Sequence, residues 1–353
     1  MNNKSEVNVC FVMDSGYVMP TCVAVTSIFV NKNINTNYNI YILCNNVSQE
    51  DKDKFLELSR KDFAIYFVDL DNMEKYSDLG IETISATPTS ISKFFVPDIL
   101  KDLDKVIYLD GDIIVNKDLA ELFSIELEDN YVAAVKDLCG IDHSNYKKED
   151  FRYFNSGVML MNLKEMRKND LSKKMLEYRL NGYNDMMDQD TLNYILKEHV
   201  MILPLKYNMQ INLLAQVDQQ KSKVFNVEAL EYYYELPNDC AIDDVLSDAV
   251  VVHYATYKPW KFYDLYGNMI WEKVFNSSPY KDLKLPRQGL LVNSTSYRVG
   301  KALLAPLVKL KQIKHSYLYR RRQKFLGQFV WRKDKWKYDK SDLPKCRNYR
   351  GEK

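Results

Sequence analysis

YLDGDIIV, residues 108–115, decides how the rest of this chain is read. A run of strand-forming residues ends at Asp110, passes through Gly111 and resumes after Asp112. Two carboxylates splayed from one turn repel each other unless something positive sits between them. A divalent cation is the economical answer, and if it also bound a diphosphate its charge would offset both. The glycine permits a tight turn and the close approach of a ligand. The same tripeptide also fits a surface turn with solvated aspartates, so the neighbouring sequence has to decide.

Working outward, apolar runs alternate with helical spacing. VNVCFVM (7–13), NIYILC (39–44), AIYFVDL (64–70), VIYL (106–109), NYVAAVKD (130–137) and GVMLMNL (157–163) read as strands. PTCVAVTSIFVN (20–31) reads as a helix, with Pro20 where a first turn tolerates it. SQEDKDKFLELSRK (48–61) is a helix with Ser48 as N-cap and Asp51 at the capping-box position. A charged helical stretch covers 164–180, and DQDTLNYILKEH (188–199) is a further helix. This alternation predicts an α/β domain with a parallel sheet. In such sheets ligands bind beyond the carboxyl ends of the strands. Asp14 and the Asp110/Asp112 pair both stand at such ends and could share one crevice.

Further candidates follow. VVVHYATYKPW (250–260) is an apolar strand that ends in His253, with Lys258 and Trp260 just beyond. An imidazole beside two carboxylates suits Mn²⁺ better than Ca²⁺, and a lysine offers a point charge for a phosphate. Taken alone, His253 fits a hydrogen-bonded core histidine. In NDMMDQDTLNYIL (184–196), Asp188 fits an N-cap and Asp190 complements the helix dipole, yet both also lie where polar groups reach a substrate. In YFNSGVMLMN (153–162), Asn155-Ser156-Gly157 fits a turn, or Asn155 hydrogen-bonds a ligand hydroxyl.

The chain has 353 residues, 46% hydrophobic and 13% aromatic, enough for a large core plus an appendage or for two domains. Its six cysteines form no C-x-x-C pair and mostly sit in apolar runs, as reduced thiols of a cytosolic protein do. The polar MNNKSEV start reads as no signal peptide, and no apolar run has the length of a membrane span. The net charge of +1 hides a split. From Pro286 onward there are 19 Lys and Arg against 4 Asp and Glu, leaving 30 against 44 in residues 1–285. This predicts an acidic body, 1–285, and a basic tail, 286–353, with its own partner.

In that tail Leu307, Leu310, Ile313 and Tyr317 recur at helical spacing after Pro306, crowded by Lys309, Lys311, Lys314, Arg320, Arg321, Arg322 and Lys324. Phe325, Phe329, Trp331 and Trp336 follow among more basic residues. A basic amphipathic helix with aromatics reads as an anchor, through residues 306–340, to an anionic membrane surface. Packing against the acidic body is the other reading. Nucleic acid would also suit the tail, but nothing in the body supports it, so none is expected.

With these residues assembled, the chain resembles glycosyltransferase family 8, which includes bacterial lipopolysaccharide galactosyl- and glucosyltransferases and glycogenin. The resemblance covers about residues 7–262 and rests on ordered motifs: FVMDSGYVMPTCVAVTSI, DKVIYLDGDIIV, YFNSGVMLMNL, DQDTLN and HYATYKPW. It implies a GT-A fold, a Rossmann-like mixed sheet flanked by helices, here with a basic C-terminal helical tail. It also implies Mn²⁺, a UDP-hexose donor such as UDP-glucose or UDP-galactose, a saccharide or glycolipid acceptor, and retention at the anomeric carbon. By the resemblance Asp110, Asp112 and His253 hold the metal. Lys258 meets the donor phosphate, and Asp14 and Tyr17 hold the uridine. Asn155, Asp188 and Gln189 meet the donor sugar or the reacting face, with Asp190 behind them. Lys93 stands where the family usually has an arginine that contacts the donor sugar or phosphate; lysine keeps the charge and loses the planar fork. The expected place of work is the cytoplasm, peripheral on the inner face of the plasma membrane. Two other readings stay open: a haloacid-dehalogenase-like phosphohydrolase using Asp110 and Asp112, and a non-catalytic protein that binds UDP-sugar or a membrane.

Overall fold

A computed structural model describes residues 5–70, 89–137, 152–181, 188–211, 234, 242–263, 265 and 267–289. The chain divides into two compact units, Met1–Gly289 and Leu290–Lys353. The second holds the basic tail and lies outside the described residues.

The first unit opens with β1 (Ser5–Asp14), α1 (Val18–Asn31), β2 (Thr36–Asn45), α2 (Gln49–Leu56) and β3 (Phe63–Asp69). A short 3₁₀ segment (Thr89–Phe95) and the single turn α3 (Val96–Ile99) lead into β4 (Lys105–Leu109), β5 (Ile113–Val115), α4 (Ala120–Ser124) and β6 (Val132–Lys136). Then come β7 (Phe154–Asn162), α5 (Leu163–Lys168), α6 (Leu171–Asn181), α7 (Asp188–Leu196), β8 (Val200–Ile202) and β9 (Met209–Gln210). The unit ends with α8 (Ile242–Asp248), β10 (Val251–His253) and α9 (Asn268–Phe275).

The main sheet has seven strands in the order β3-β2-β1-β4-β7-β6-β8. It is mixed: β3, β2, β1 and β4 run parallel, whereas β7 is antiparallel to both β4 and β6. An antiparallel neighbour needs no helical crossover, so β7 can lie between β4 and β6. A second sheet, β5-β10-β9, pairs Ile113 with His253 and His253 with Gln210. Both faces of the main sheet are covered, which the near-continuous apolar strands demand. Val7, Val9, Phe11 and Met13 of β1 join the core that holds α1, α9 and the small sheet. Cys10, between them, faces the other core with Phe94, Phe95, Tyr108, Met159 and the buried sides of α5, α6 and α7. The strand period of two delivers this split. Cys10, Cys22 and Cys44 are buried free thiols, as expected. Among the described residues no helix is long and apolar enough to cross a membrane.

Three helices differ from expectation, and the one expected over 188–199 simply stops at Leu196. The helix begun by Ser48, whose hydroxyl accepts from Asp51 N–H and donates to the Asp51 carboxylate, stops at Leu56 rather than at 61. Its last amides close tighter turns, Leu58 to Phe55 and Ser59 to Leu56, and the chain folds back through an Arg60–Phe63 bridge to start β3. The 164–180 stretch is two helices, because Asn169 and Asp170 interrupt it, Asp170 at φ 51° in the left-handed region. Asn and Asp favour such turns by bonding nearby backbone, and Asn169 Nδ2 donates to Glu165 O at 2.8 Å.

Candidate active site

β1 sends its crossover through α1 to β2 on one side and pairs with β4 on the other, so the connections diverge at the β1–β4 boundary. That divergence opens a crevice at the carboxyl ends, the usual place for a ligand in such sheets. Asp14 ends β1 and Asp110 follows β4. β7, being antiparallel, brings its start to the same end: Asp110 N–H donates to Gly157 O at 2.8 Å. Asn155-Ser156-Gly157 is therefore strand, not a turn. β10 pairs with β5 and delivers His253 next to Asp112. Asp110, Asp112 and His253 each offer a ligand atom within 4.8 Å of one another.

Gly111 earns its place by packing. A Cβ there would stand 2.3 Å from Thr21 Oγ1 and 3.3 Å from Tyr17 Cδ1, so it is the start of α1 that approaches, and no positive φ is involved. Gly157 is confined further: a Cβ would lie 2.4 Å from His253 Cε1 and 2.8 Å from Asp110 Oδ2. Only hydrogen at this sheet position leaves room for both side chains.

The charges are tightly partnered. Lys93, 3% exposed, lies 2.7 Å from Asp188 Oδ2 and 3.4 Å from Asp110 Oδ1, above the Tyr108 ring. Burial pulls its ammonium down, but Asp110 and Asp188 outweigh this and hold it above the usual lysine range. Tyr108 O–H donates to Asp110 Oδ1 at 2.8 Å, and Ser156 O–H to Asp188 Oδ2 at 3.0 Å. Asp188 thus belongs to the first turn of α7 with its Oδ2 turned to Lys93 and Ser156. Asp112 is buried; Oδ2 pairs with Lys258, while Oδ1 has no hydrogen-bond donor although His253 Nε2 is 3.3 Å away. Burial alone would raise the Asp112 carboxyl, but His253 and Lys258 prevail and hold it well below the ordinary carboxylate range. Lys258 also donates to Tyr254 O at 2.7 Å and Ala255 O at 3.0 Å, so its phosphate role would require leaving these partners.

Gln189 is fully engaged. Its Nε2 donates to Asp137 Oδ2 (2.9 Å) and Tyr153 Oη (3.3 Å), and its Oε1 accepts from Ser156 N–H (3.0 Å). Tyr153 in turn donates to Asp190 Oδ1 at 2.7 Å, which places Asp190 behind Gln189. Asn155 donates to Asp137 Oδ2 at 3.0 Å. Asp14 accepts from Gly16 N–H at 2.9 Å, and Tyr17 meets Trp260 edge-on at 6.0 Å. Burial, then Asp112, Asp110 and Asp14, raise the Tyr17 phenol above its usual range, so Tyr17 faces the same carboxylates. Every expected site residue of the body therefore lies in one connected neighbourhood. Missed from the sequence were Tyr108, Asp137, Tyr153, Ser156 and Asn208. Asp137 had a signal, an aspartate at a strand's carboxyl end; Asn208, just before the two-residue β9, had none.

The donor set fits a divalent cation on chemical grounds: two carboxylates, one with a buried oxygen lacking a donor, and an imidazole. Comparison with known proteins identifies the family. The family description "Glycosyl transferase family 8" matches residues 8–264. A lipopolysaccharide 1,2-glucosyltransferase of Escherichia coli is 26% identical over 298 residues, covering 80% of this chain and 82% of the relative. A putative glycosyltransferase of Haemophilus influenzae is 30% identical over 216 residues, 57% of this chain and 63% of its own. In fold, the galactosyltransferase LgtC, solved with donor and acceptor sugar analogues, superposes with TM-score 0.58 at 23% identity, over 77% of this chain and 96% of that one. The bifunctional glycosyltransferase WbbM gives 0.61 at 21% identity, over 79% and 51%. These neighbours bear out the GT-A architecture, and the family match sets aside the phosphohydrolase and non-catalytic readings: the chain belongs to glycosyltransferase family 8.

Proposed function

We propose that this glycosyltransferase moves a hexose from UDP-glucose or UDP-galactose, with retention, onto a glycan or lipid-linked saccharide in the synthesis of lipopolysaccharide or a similar surface polysaccharide. The observation that carries the proposal is the Asp110, Asp112 and His253 cluster at the β1–β4 crevice, with the Asp112 Oδ1 donor-free. The relatives' names support the acceptor class, and the LgtC complex with donor and acceptor sugar analogues supports transfer from a donor sugar to an acceptor sugar.

Asp110, Asp112 and His253 would hold Mn²⁺, whose charge stabilises a departing diphosphate when bound. Lys258 adds a positive charge to that leaving group once it turns from its own loop. Asp14 and Tyr17 hold the uridine, with the Tyr17 ring as a stacking surface. Lys93 pairs with Asp188 and holds it in place, so its carboxylate meets the sugar hydroxyls and the positive charge that grows on the ring. Asn155 and Gln189 orient the reacting face, and Asp190 supports it through Tyr153. Gln189 is a weak nucleophile with its amide protons committed, which favours attack from the leaving-group face with the departing phosphate taking the acceptor proton. Residues 306–340 would carry the enzyme to the anionic inner face of the plasma membrane, each Lys or Arg adding about 1 kcal/mol.

Calorimetry with UDP, UDP-glucose and UDP-galactose, with Mn²⁺ and with chelator, tests this on wild type and on Asp110→Ala/Asp112→Ala. Metal-dependent binding, lost in the double variant, is expected, and the tighter sugar nucleotide nominates the donor. Absence of UDP binding under every condition would sink it. Co-sedimentation with anionic but not neutral vesicles checks the tail.

A further inference from the structure

His253 has a choice of tautomer that the local charges alone would make wrongly for metal binding. Its Nε2 lies 3.3 Å from the Asp112 carboxylate, which would attract an N–H. Its Nδ1 lies 2.9 Å from Asn208 Oδ1. Which nitrogen carries the proton follows from a chain of groups anchored on the backbone. The Gly157 N–H can only donate, and it meets Asn155 Oδ1 at 3.0 Å. Asn155 therefore turns its Nδ2 to Asp137 Oδ2, at 3.0 Å. Asn208 Nδ2 donates to the same Asn155 Oδ1 at 2.9 Å, which turns Asn208 Oδ1 toward His253. An amide oxygen only accepts, so Nδ1 is the protonated nitrogen of the neutral ring and Nε2 presents a lone pair.

We propose that Asn208 is a positioning residue: through the Gly157–Asn155–Asn208 relay it holds His253 in the Nδ1–H tautomer, the form whose Nε2 can ligate a divalent cation. Asn208 is fully buried and touches neither Asp110 nor Asp112 in the hydrogen-bond network described above, so it acts only through the imidazole. The relay runs across three elements, β7, the turn before β9, and β10, and so ties the metal ligand's proton to the register of the sheet. Outer partners of this kind change metal affinity by about 10–100-fold. The inference rests on the metal reading above, and its first test does not depend on it.

The chain has four histidines, so nitrogen NMR of histidine-labelled full-length protein, in mildly alkaline buffer with chelator, can read the His253 tautomer directly. Wild type should show Nδ1–H. Asn208→Leu should move the proton toward Nε2, where Asp112 accepts it, and should weaken Mn²⁺ binding by about 10–100-fold. Asn208→Asp keeps an acceptor facing Nδ1 and should retain both the tautomer and Mn²⁺ affinity, which covers a failure of the leucine variant to fold. An Nε2–H tautomer in wild type, an unchanged tautomer in Asn208→Leu, or a lost Nδ1–H in Asn208→Asp would each overturn the proposal. A wild type that shows Nδ1–H but binds no Mn²⁺ would overturn the metal reading and, with it, the relay's purpose, while leaving the tautomer assignment standing.

Discussion

Lys93→Met removes the most enclosed positive charge described at the site. Lys93 is 3% exposed, and its loss strips Asp188 (side chain 10% exposed) and Asp110 (31%) of a cation. Removing one partner of a buried pair costs about 3–5 kcal/mol. Here each carboxylate keeps a hydroxyl donor, Ser156 for Asp188 and Tyr108 for Asp110, and Asp110 is open enough to hydrate. The cost should then fall at the low end, about 3 kcal/mol. Lys93→Met/Asp188→Asn removes charge from both sides and should recover most of that loss, leaving about 1 kcal/mol. Urea unfolding in the presence of chelator reads both, as a shift in midpoint at unchanged slope. A single variant that loses less than about 1 kcal/mol, or a double variant no more stable than the single, would refute the account of Lys93 as the buried counter-charge of Asp188.

Three further outcomes are expected. Lys258 and a divalent cation compete for Asp112, so Lys258→Met should bind Mn²⁺ about fivefold or more tightly in the absence of nucleotide, yet bind UDP more weakly; calorimetry of each ligand alone decides it. Gly157→Ala puts a methyl 2.4 Å from His253 Cε1 and should cost about 1–3 kcal/mol in urea unfolding, with weaker Mn²⁺ binding. Asp112 has its carboxyl depressed in the folded protein, so its stabilisation is complete above an unfolded value of about 3.9 and declines as pH falls from there through the depressed value. The stability gap between wild type and Asp112→Asn, measured by urea unfolding with chelator, should therefore shrink below about pH 4; a gap that widens with acid would contradict the pairing with His253 and Lys258.

The strands and helices were legible because their signals are local. Ser48 caps α2 as its side chain dictates, and the apolar run from Val7 to Met13 can only be a strand covered on both faces. The break at Asn169-Asp170 was written in two turn-forming residues yet concealed by the helical spacing around them. Asp110, Asp112 and His253 could be nominated because charge at the end of an apolar strand is costly and therefore informative. Their meeting could not be read, since 140 residues lie between Asp112 and His253 in the chain and the β5–β10 pairing joins them. The antiparallel turn of β7 was equally silent in sequence, and it is what brings Asn155, Ser156 and Gly157 to the carboxyl-end crevice. Gly111 was chosen by sequence reasoning for a turn and does lie in one; the fold adds that its missing Cβ makes room for Thr21. Sequence by itself thus determined which residues carry charge to the strand ends, because burial penalties act on single residues. Only the tertiary structure decided how Lys93 and Lys258 are shared among the carboxylates, and where the proton of His253 resides, because pairing energies and hydrogen-bond directions depend on distances that no linear spacing contains.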